Sequence, residues 1–397
     1  MPVAALLPCE RTANLQKSGF KRPDIGGLHG SGHANALNVK LLLQLRYRKN
    51  AQAAGGLYRL QKGSRAEKAA FPGQAQGQLH AVIAGGNIAL LNGVRAVMAM
   101  GASTNTVLHL MSIAHEAGAE LTLEDFDRIS REVPYLCNIK PSGKYPMEVF
   151  HAHGGVQAVL KAIAPKLDPS QLTVTGKTVL ENLAEVPLVQ DDVIFPLEKP
   201  KKPEGGLAIL HGNLAPDGAV VKKAGVKPVM YQFTGKARVF DYMEDACKAI
   251  QNDEIAPGTV IVLRYEGPKG GPGMREQHMV TSLLVGRGMD ESCALITDGR
   301  FSGSTRGPAI GHISPEAAAG GPIAAVQNGD EITIDIPNRT LQLHISDEEL
   351  AERLRHVKPL IKPRTPSLAK YAALVTSADR GAILEIPDVI DPVHQPR

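Results

Sequence analysis

The chain has 397 residues, which is enough for two domains that each bury a hydrophobic core. Its 43% apolar and 21% charged residues are typical of a globular protein, and no apolar run approaches the roughly 20 residues of a transmembrane helix. The net charge of +4 is too small to indicate a nucleic-acid surface, and the absence of tryptophan disfavours a surface that stacks bases or sugars.

Residues 1–88 are predicted to be a poorly ordered or divergent segment. They are rich in Gly, Ala, Gln and basic residues, contain few acids and show weak apolar periodicity. His29 and His33 have no carboxylate or cysteine beside them, so we expect a solvated loop there rather than a metal site.

The four cysteines are scattered and form no CxxC pair. Free thiols suit a reducing compartment, so we expect a cytoplasmic location. An organelle matrix is the alternative, because basic residues outnumber acids up to Arg22, as they do in a transit segment.

Residues 89–185 are predicted to be the remainder of an N-terminal α/β domain. Residues 92–99 have helical spacing, and Ser103, Thr104 and Asn105 are typical N-cap residues of a second helix. The buried stripe of this second helix is predicted from four apolar residues, Val107, Leu108, Met111 and Ile113. Its N-terminus is either an anion site or an ordinary helix cap.

Further helices are predicted along the same domain. Thr122 and Asp125 form a capping-box pattern at the start of one helix. Residues 140–145 form a loop with two lysines, and residues 147–163 form a helix that is broken at Gly154 and Gly155.

From residue 172 onward, short apolar runs alternate with Gly/Pro turns, which is typical of a β-rich barrel or sandwich. We place a domain boundary near residue 185 and a second domain at residues 190–385. Strands are predicted at residues 207–210, 219–221, 236–240, 259–263, 293–297 and 331–336. Residues 328–330 predict a hairpin turn, Ser346 the start of a capped helix, and residues 371–379 a docking helix.

The stretch from residue 255 to residue 316 carries the strongest chemical signal. Two of the predicted strands break directly into glycine-rich loops, residues 266–273 and 298–303. Glycines let backbone N–H groups approach a ligand closely, and Glu276 and Ser302 follow these strand ends, where α/β proteins tend to place chemistry. Residues 274–284 have helix-like spacing. Two tight turns in a β-rich domain are the alternative interpretation.

Six motifs in this chain resemble those of the dihydroxy-acid dehydratase family, which includes phosphogluconate and sugar-acid dehydratases. They are GASTNTVLHL (101–110), KPSGKYPME (140–148), GNLAPDGAVVK (212–222), EGPKGGPGM (266–274), TDGRFSGSTRG (297–307) and GHISPEA (311–317). They occur in family order over residues 88–385. Phe301 and the form STNTVLHL favour the dihydroxy-acid branch.

The resemblance implies an α/β fold, with an incomplete N-terminal α/β domain followed by a β-barrel-like swivelling domain, in a homodimer with the site between domains. It implies loss of water from a 2,3-dihydroxy carboxylate to give a 2-keto acid, most simply in branched-chain amino-acid biosynthesis. It also implies two cofactors, an iron–sulfur cluster ([2Fe-2S] or [4Fe-4S]) for the departing hydroxyl and Mg²⁺ for the carboxylate.

The resemblance also assigns residues. Ser302 corresponds to the proton-abstracting serine and Glu276 to the C-terminal Mg²⁺ ligand, with Glu266 ranked below it. A serine hydroxyl is a weak base and acts only as a stabilised alkoxide, while a metal cation spreads the charge of the carbanion. The loop glycines expected beside the substrate are Gly270, Gly271, Gly273, Gly299 and Gly303.

The first 90 residues depart from the family pattern. The family's cluster cysteines, aspartate ligands and metal-binding lysine are not readable there, although Cys9 precedes Thr12-Ala-Asn14 as a cluster cysteine precedes a similar triplet at another offset. The segment therefore reads as a truncated or altered N-terminus. A sugar-acid (pentonate or phosphogluconate) dehydratase, a catalytically inactive fragment and an anion-binding module remain alternatives.

Overall fold

Residues 86–385 are the part of the chain that the computed structural model describes. The predictions for Cys9, His29 and His33, and for nearly all of the segment 1–88, lie outside the described residues. No helix in residues 86–385 is long and apolar enough to cross a membrane.

Six α-helices come first in the described chain. They are α1 (Gly86–Met100), α2 (Asn105–Glu116), α3 (Leu123–Glu132), α4 (Met147–Ala152), α5 (Gly155–Ala162) and α6 (Val179–Leu183). Their apolar faces share one core, in which Met98, Phe126 and Ile163 are fully buried. The helices hold together because these stripes exclude water, since helices this short are marginal alone.

Several sequence predictions for these helices are confirmed. Thr122 and Asp125 form the capping box of α3, and the break between α4 and α5 lies at Gly154. The prediction for Ile113 is wrong, because its side chain is 54% exposed whereas Val107, Leu108 and Met111 are buried. Ile113 lies on the side of α2 that faces away from the shared core.

Eight strands then form a closed barrel. They are β1 (Ala208–Gly212), β2 (Ala215–Val221), β3 (Gln232–Phe240), β4 (Thr259–Leu263), β5 (Ala294–Thr297), β6 (Ala309–Ser314), β7 (Glu331–Asp335) and β8 (Thr340–Leu343). Their order round the barrel is β1-β2-β6-β5-β4-β3-β7-β8. Helices and barrel together confirm the mixed α/β class and decide for a barrel over a sandwich.

The strands β3, β4, β5 and β6 run parallel to one another. Two helices, α7 (Met243–Gln251) and α8 (His278–Gly286), cover the outside of this parallel part. Because both faces of β4 and β5 are buried, these strands read as continuous apolar runs, which is why the sequence revealed them. The helix predicted from residue 274 begins at His278.

Two more helices, α9 (Asp347–His356) and α10 (Pro366–Leu374), follow the barrel. Ser346 caps α9 as predicted. The docking helix predicted at residues 371–379 lies earlier in the chain, as α10. A turn lies at residues 328–329, within the predicted 328–330, but it does not join a hairpin, because the consecutive antiparallel pair in this region is β7–β8, whose turn lies at residues 336–339.

The helical layer packs closely on the start of β1. The N–H of Gly206 donates to Met98 O at 2.9 Å, and the Ser130 hydroxyl donates to Leu207 O at 2.5 Å. A Cβ on Gly206 would lie 2.2 Å from the Cα of Gly101. This contact sets where α2 begins relative to the barrel. The apolar cluster of the helical layer includes Ile209 of β1 and Val220 of β2, and the predicted boundary near residue 185 stays a prediction.

We expect Gly206→Ala to destabilise the protein by about 1–3 kcal/mol, because the added methyl group meets backbone rather than a movable side chain. Gly93→Ala is the matched control, since its Cβ meets nothing within 4 Å and it lies inside α1. That change should stabilise by about 0.5–1 kcal/mol. Urea unfolding of the full chain followed by circular dichroism measures both, and equal stability of the two variants would contradict the close contact.

Candidate functional site

Two glycine-rich loops start side by side at the same end of the barrel. Leu263 of β4 and Thr297 of β5 are paired, and each is the last residue of its strand. The loops that follow, residues 266–273 and 298–303, are therefore neighbours. Parallel strands place their carboxyl ends at one edge, and this edge carries the residues that the sequence singled out.

Asp298 ties the two loops together. Its carboxylate is fully buried and accepts hydrogen bonds from the backbone N–H groups of Tyr265 (3.0 Å), Glu266 (2.9 Å) and Ala317 (3.0 Å). Two chain segments thus converge on the Asp298 carboxylate. Burial raises the pKa of Asp298 to about 6, although the three N–H groups oppose that rise.

Glu316 occupies the first glycine-rich loop. It is 1% exposed and accepts from the N–H of Lys269 and from the N–H of Gly270, each at 2.8 Å. A Cβ on Gly267 would lie 2.7 Å from its Oε2. Burial, followed by the charge of Asp298, raises the pKa of Glu316 to about 7. The N–H groups of Lys269 and Gly270 thus have a partner within the chain.

The loop glycines allow close backbone approaches. A Cβ on Gly270 would lie 2.8 Å from the Cα of Tyr265, and one on Gly271 would lie 2.9 Å from the Cα of Glu266. Gly273 has a φ of +90°. A Cβ on Gly299 or Gly303 would press on a side chain, Glu266 at 3.0 Å and Ser103 at 3.2 Å respectively. Contact of these glycines with a substrate stays a prediction.

Glu276 is half-buried and lies just past the first loop. Its backbone forms a short parallel bridge with Arg300 in the second loop. The side-chain amide of Asn105, at the start of α2, donates to Glu276 Oε1 and to Phe301 O, each at 3.0 Å. Asn105 therefore connects the helix to both loops, a role that its reading as an N-cap residue did not reveal.

Ser302 lies next to this connection and is half-buried. Its hydroxyl is 3.1 Å from the hydroxyl of Ser304, which is 3.4 Å from Nδ1 of His278 at the start of α8. The structure thus places Ser302 and Glu276 in adjacent loops joined by Asn105. It also places a chain of polar groups from Ser302 to an exposed imidazole.

Several buried polar atoms in and around these loops have no hydrogen-bond partner in the described chain. They are Thr104 Oγ1, Asn105 Oδ1, Gln277 Oε1, Thr305 Oγ1 and both ring nitrogens of His312. Burial, with the charges of Arg300 and His109, lowers the pKa of His312 to about 3, so its ring is neutral. Buried polar atoms are normally paired, so this group indicates a place for water or a ligand.

The donor set suits a hard cation such as Mg²⁺. Mg²⁺ prefers oxygen ligands and keeps several waters, so one or two carboxylates suffice when substrate completes the shell. The carboxylate of Glu276 and the unpartnered Oδ1 of Asn105 are oxygens of this kind. No group of three or more His, Cys, Asp or Glu in residues 86–385 could hold a metal by itself.

The described cysteines do not fit an iron–sulfur cluster. Cys137 is buried in the helical core, while Cys247 and Cys293 lie on α7 and before β5. Burial raises the pKa of all three thiols, that of Cys137 to about 12. A cluster ligand must be a thiolate, so these environments oppose ligation.

The negative charge of Glu266 is balanced by two cations within the chain. It is 2% exposed, and its Oε1 lies 2.8 Å from Lys362 Nζ and 3.3 Å from the guanidinium of Arg275. A carboxylate held by two cations is a poor metal ligand. The ranking of Glu276 above Glu266 stays a prediction.

Comparison with known proteins matches most of the described chain. Residues 72–182 match the family model described as dihydroxy-acid/6-phosphogluconate dehydratase N-terminal, and residues 192–382 match the C-terminal model of the same family. The chain is 54% identical over 300 residues to a dihydroxy-acid dehydratase of Ignicoccus hospitalis, covering 75% of this chain and 54% of that protein. It is also 54% identical over 301 residues to a dihydroxy-acid dehydratase of Clostridium novyi, with the same coverage of both chains. The chain spans about half the length of the curated relatives it matches.

The pKa values of Asp298 and Glu316 predict a pH-dependent stability. Both lie above their ordinary values of 3.8 and 4.5, so each group binds more protons in the folded state than in the unfolded state. Their stabilising contribution is complete below the unfolded pKa and is lost as the pH rises through the folded one. We therefore expect the free energy of unfolding to fall between about pH 4 and pH 7.

Glu316→Gln should make this fall shallower, because a glutamine accepts the same N–H groups but does not titrate. Glu198→Gln, at an exposed glutamate, is the control and should leave the slope unchanged. Denaturant unfolding at several pH values measures the slopes. Parallel slopes for the Glu316→Gln variant and the unmodified protein would refute the assignment.

Proposed function

The chain belongs to the dihydroxy-acid/6-phosphogluconate dehydratase family, and we propose that it acts as a hydro-lyase that converts a 2,3-dihydroxy carboxylate to a 2-keto acid. The observation that carries the proposal is the contact of Asn105 with Glu276 Oε1 and with the carbonyl before Ser302. The Asn105 side chain thus fixes the position of the candidate metal ligand Glu276 relative to the loop of the candidate base Ser302. The names of the relatives support the same reaction.

Ser302 is the proposed base. Its hydroxyl must lose its proton before it can take the proton from C2 of the substrate, because a neutral serine is a weak base. Ser304 and His278 lie in line from this hydroxyl and offer a route for that proton to solvent. Gly303 packs against Ser103, so the loop has little freedom to move Ser302 away from the start of α2.

Glu276 and the Oδ1 of Asn105 are the residues that would hold Mg²⁺. When bound, the cation spreads the negative charge that forms beside the substrate carboxylate. Asn105 keeps the Glu276 carboxylate oriented, because its amide N–H donates to Oε1. Because the ring of His312 is neutral, it adds no positive charge to this region.

An iron–sulfur cluster stays a prediction that rests on Cys9 and on the family resemblance. No step is derived through it, because the described cysteines are buried and protonated. Iron and acid-labile sulfide in anaerobically purified protein test that prediction. A homodimer and a cytoplasmic location also stay predictions.

The substrate that we favour is 2,3-dihydroxyisovalerate, as an intermediate of branched-chain amino-acid biosynthesis. The relatives from Ignicoccus hospitalis and Clostridium novyi both carry the name dihydroxy-acid dehydratase, which supports this branch over the phosphogluconate branch. Assays with 6-phosphogluconate and a pentonate distinguish the alternatives by the product each yields.

Ser302→Ala should lower keto-acid formation on the order of 10²–10⁴-fold, the usual effect of losing a positioned proton-transfer group. The assay traps the keto acid as a hydrazone after incubation of the anaerobically purified chain with Mg²⁺ and each dihydroxy acid. Ser367→Ala, at an exposed serine in α10, is the control. Equal keto-acid formation by the Ser302→Ala variant and the control variant would contradict the role of Ser302. If the unmodified chain formed no keto acid, the interpretation as an inactive protein would be favoured.

Mg²⁺ should bind more weakly than micromolar in the absence of substrate, because the described residues offer one carboxylate and one amide oxygen. Glu276→Gln should abolish the binding heat in calorimetry, while Glu198→Gln should leave it unchanged. Micromolar or tighter binding that survives Glu276→Gln would mean that other residues form the site.

A further inference from the structure

Lys222 is a buried lysine that the proposed mechanism has not used. It follows β2 directly, and only 7% of its surface is exposed. Its ammonium donates to the carbonyl of Gly303 at 2.8 Å, which is the residue after Ser302. Among the described residues it forms no ion pair, unlike the neighbouring Lys223, whose ammonium lies 2.5 Å from a Glu204 carboxylate oxygen.

A buried cation without a counter-charge is costly for folding, so its presence calls for a compensating role. A lysine ammonium has three N–H donors, and the Gly303 carbonyl uses one of them. The other two have no partner in the described chain. The charge therefore lies beside the Ser302 loop without being neutralised there.

The loop also lies close to Ser103, just before α2. A Cβ on Gly303 would lie 3.2 Å from the Cβ of Ser103, so Gly303 lies near both Ser103 and the Lys222 ammonium. Other titratable groups connected to this loop are Glu276, through Asn105, His278, through Ser304, and Arg300, whose guanidinium donates to Met274 O. Lys222 is the buried cation of this set.

We propose that Lys222 is a positioning residue for Ser302: it fixes the loop through the Gly303 carbonyl, and its positive charge stabilises the Ser302 alkoxide. The inference rests on the proposed role of Ser302 as the base. The alkoxide takes the C2 proton to become a hydroxyl, and Lys222 keeps its own protons throughout. An opposite charge within a few ångströms favours the charged form of a group, and low exposure strengthens that effect.

The test measures how fast Ser302 reacts, without requiring turnover. An alkyl fluorophosphonate is attacked at phosphorus by the Ser302 alkoxide, so an O–P bond forms and fluoride leaves. Mass spectrometry of the Ser302 peptide measures the labelling rate of the full chain against pH, with Ser302→Ala as the blank. Lys222→Met should label roughly ten-fold or more slowly at pH 8, since one unit of pKa is a ten-fold change in alkoxide.

The shape of the pH profile gives a second readout. After one proton is lost, two states compete: Ser302 alkoxide with charged Lys222, and Ser302 hydroxyl with neutral Lys222. Both states carry the same number of protons, so the ratio of their populations does not depend on pH. Because burial lowers the pKa of Lys222 to about 8, labelling of the unmodified protein should level off near that pH. Lys222→Arg keeps its charge, so its labelling should stay near that of the unmodified protein at pH 8 and continue to rise above it.

Lys223→Met is the matched control, because Lys223 is equally buried but paired with Glu204, and its labelling should match that of the unmodified protein. The His278→Gln variant measures how much of the labelling rate depends on proton transfer through Ser304. The inference is overturned by equal labelling of folded Lys222→Met and unmodified protein, by a rate that rises through pH 10 without levelling, or by an unlabelled Ser302. If Lys222→Met does not fold, the profiles of the unmodified protein and Lys222→Arg decide.

The proposed function and this inference fail in different ways. Labelling that depends on Lys222 in a protein that forms no keto acid would support the inference and contradict the function. Keto-acid formation that depends on Ser302, with labelling indifferent to Lys222, would support the function and overturn the inference.

Discussion

Two buried carboxylates, Asp298 and Glu316, hold the glycine-rich loops in place, and the position of each candidate site residue depends on them. Asp298 gathers three backbone N–H groups from two different segments, and Glu316 takes two more from the first loop. Their burial is unfavourable for the charged form, which is why the pKa of both is raised. The N–H groups that donate to these two carboxylates stabilise the conformation of the loops. The glycine-rich stretch from Gly267 to Gly270 is therefore largely a scaffold, with Glu276 just past the first loop and Ser302 in the neighbouring second loop.

The candidate site is assembled from two sides of the protein. The helical layer contributes Asn105, whose amide reaches both loops, and the barrel contributes Lys222 beneath Gly303. The relation between the two sides is set by close packing of Gly206 on Gly101, where even one methyl group has no room. This packing contact between the helical layer and the barrel thus sets where Asn105 meets Glu276 and the Ser302 loop.

The sequence predicted the local features well and the long-range ones poorly. Strands β4 and β5 were readable because both of their faces are buried, and α9 because Ser346 caps it. Strand β6 was missed because its Gly311 and His312 interrupt the apolar run, although every residue in it is buried. The joining role of Asn105 was invisible, since its partners lie 171 and 196 residues away in sequence and leave no periodic pattern. Glu316 and Lys222 stood inside recognised motifs, but only the fold shows which N–H groups or carbonyl each one contacts.

The most direct test of this account is the location of a divalent cation in a crystal of the full chain soaked in Mn²⁺, found from its anomalous scattering. We expect one peak within coordination distance of the Glu276 carboxylate, beside Asn105, with Glu316 still bonded to the N–H groups of Lys269 and Gly270. A peak or a bound anion within residues 266–273, with Glu316 displaced from those N–H groups, would contradict the account, because the glycine-rich loop would then be the binding site and not its scaffold.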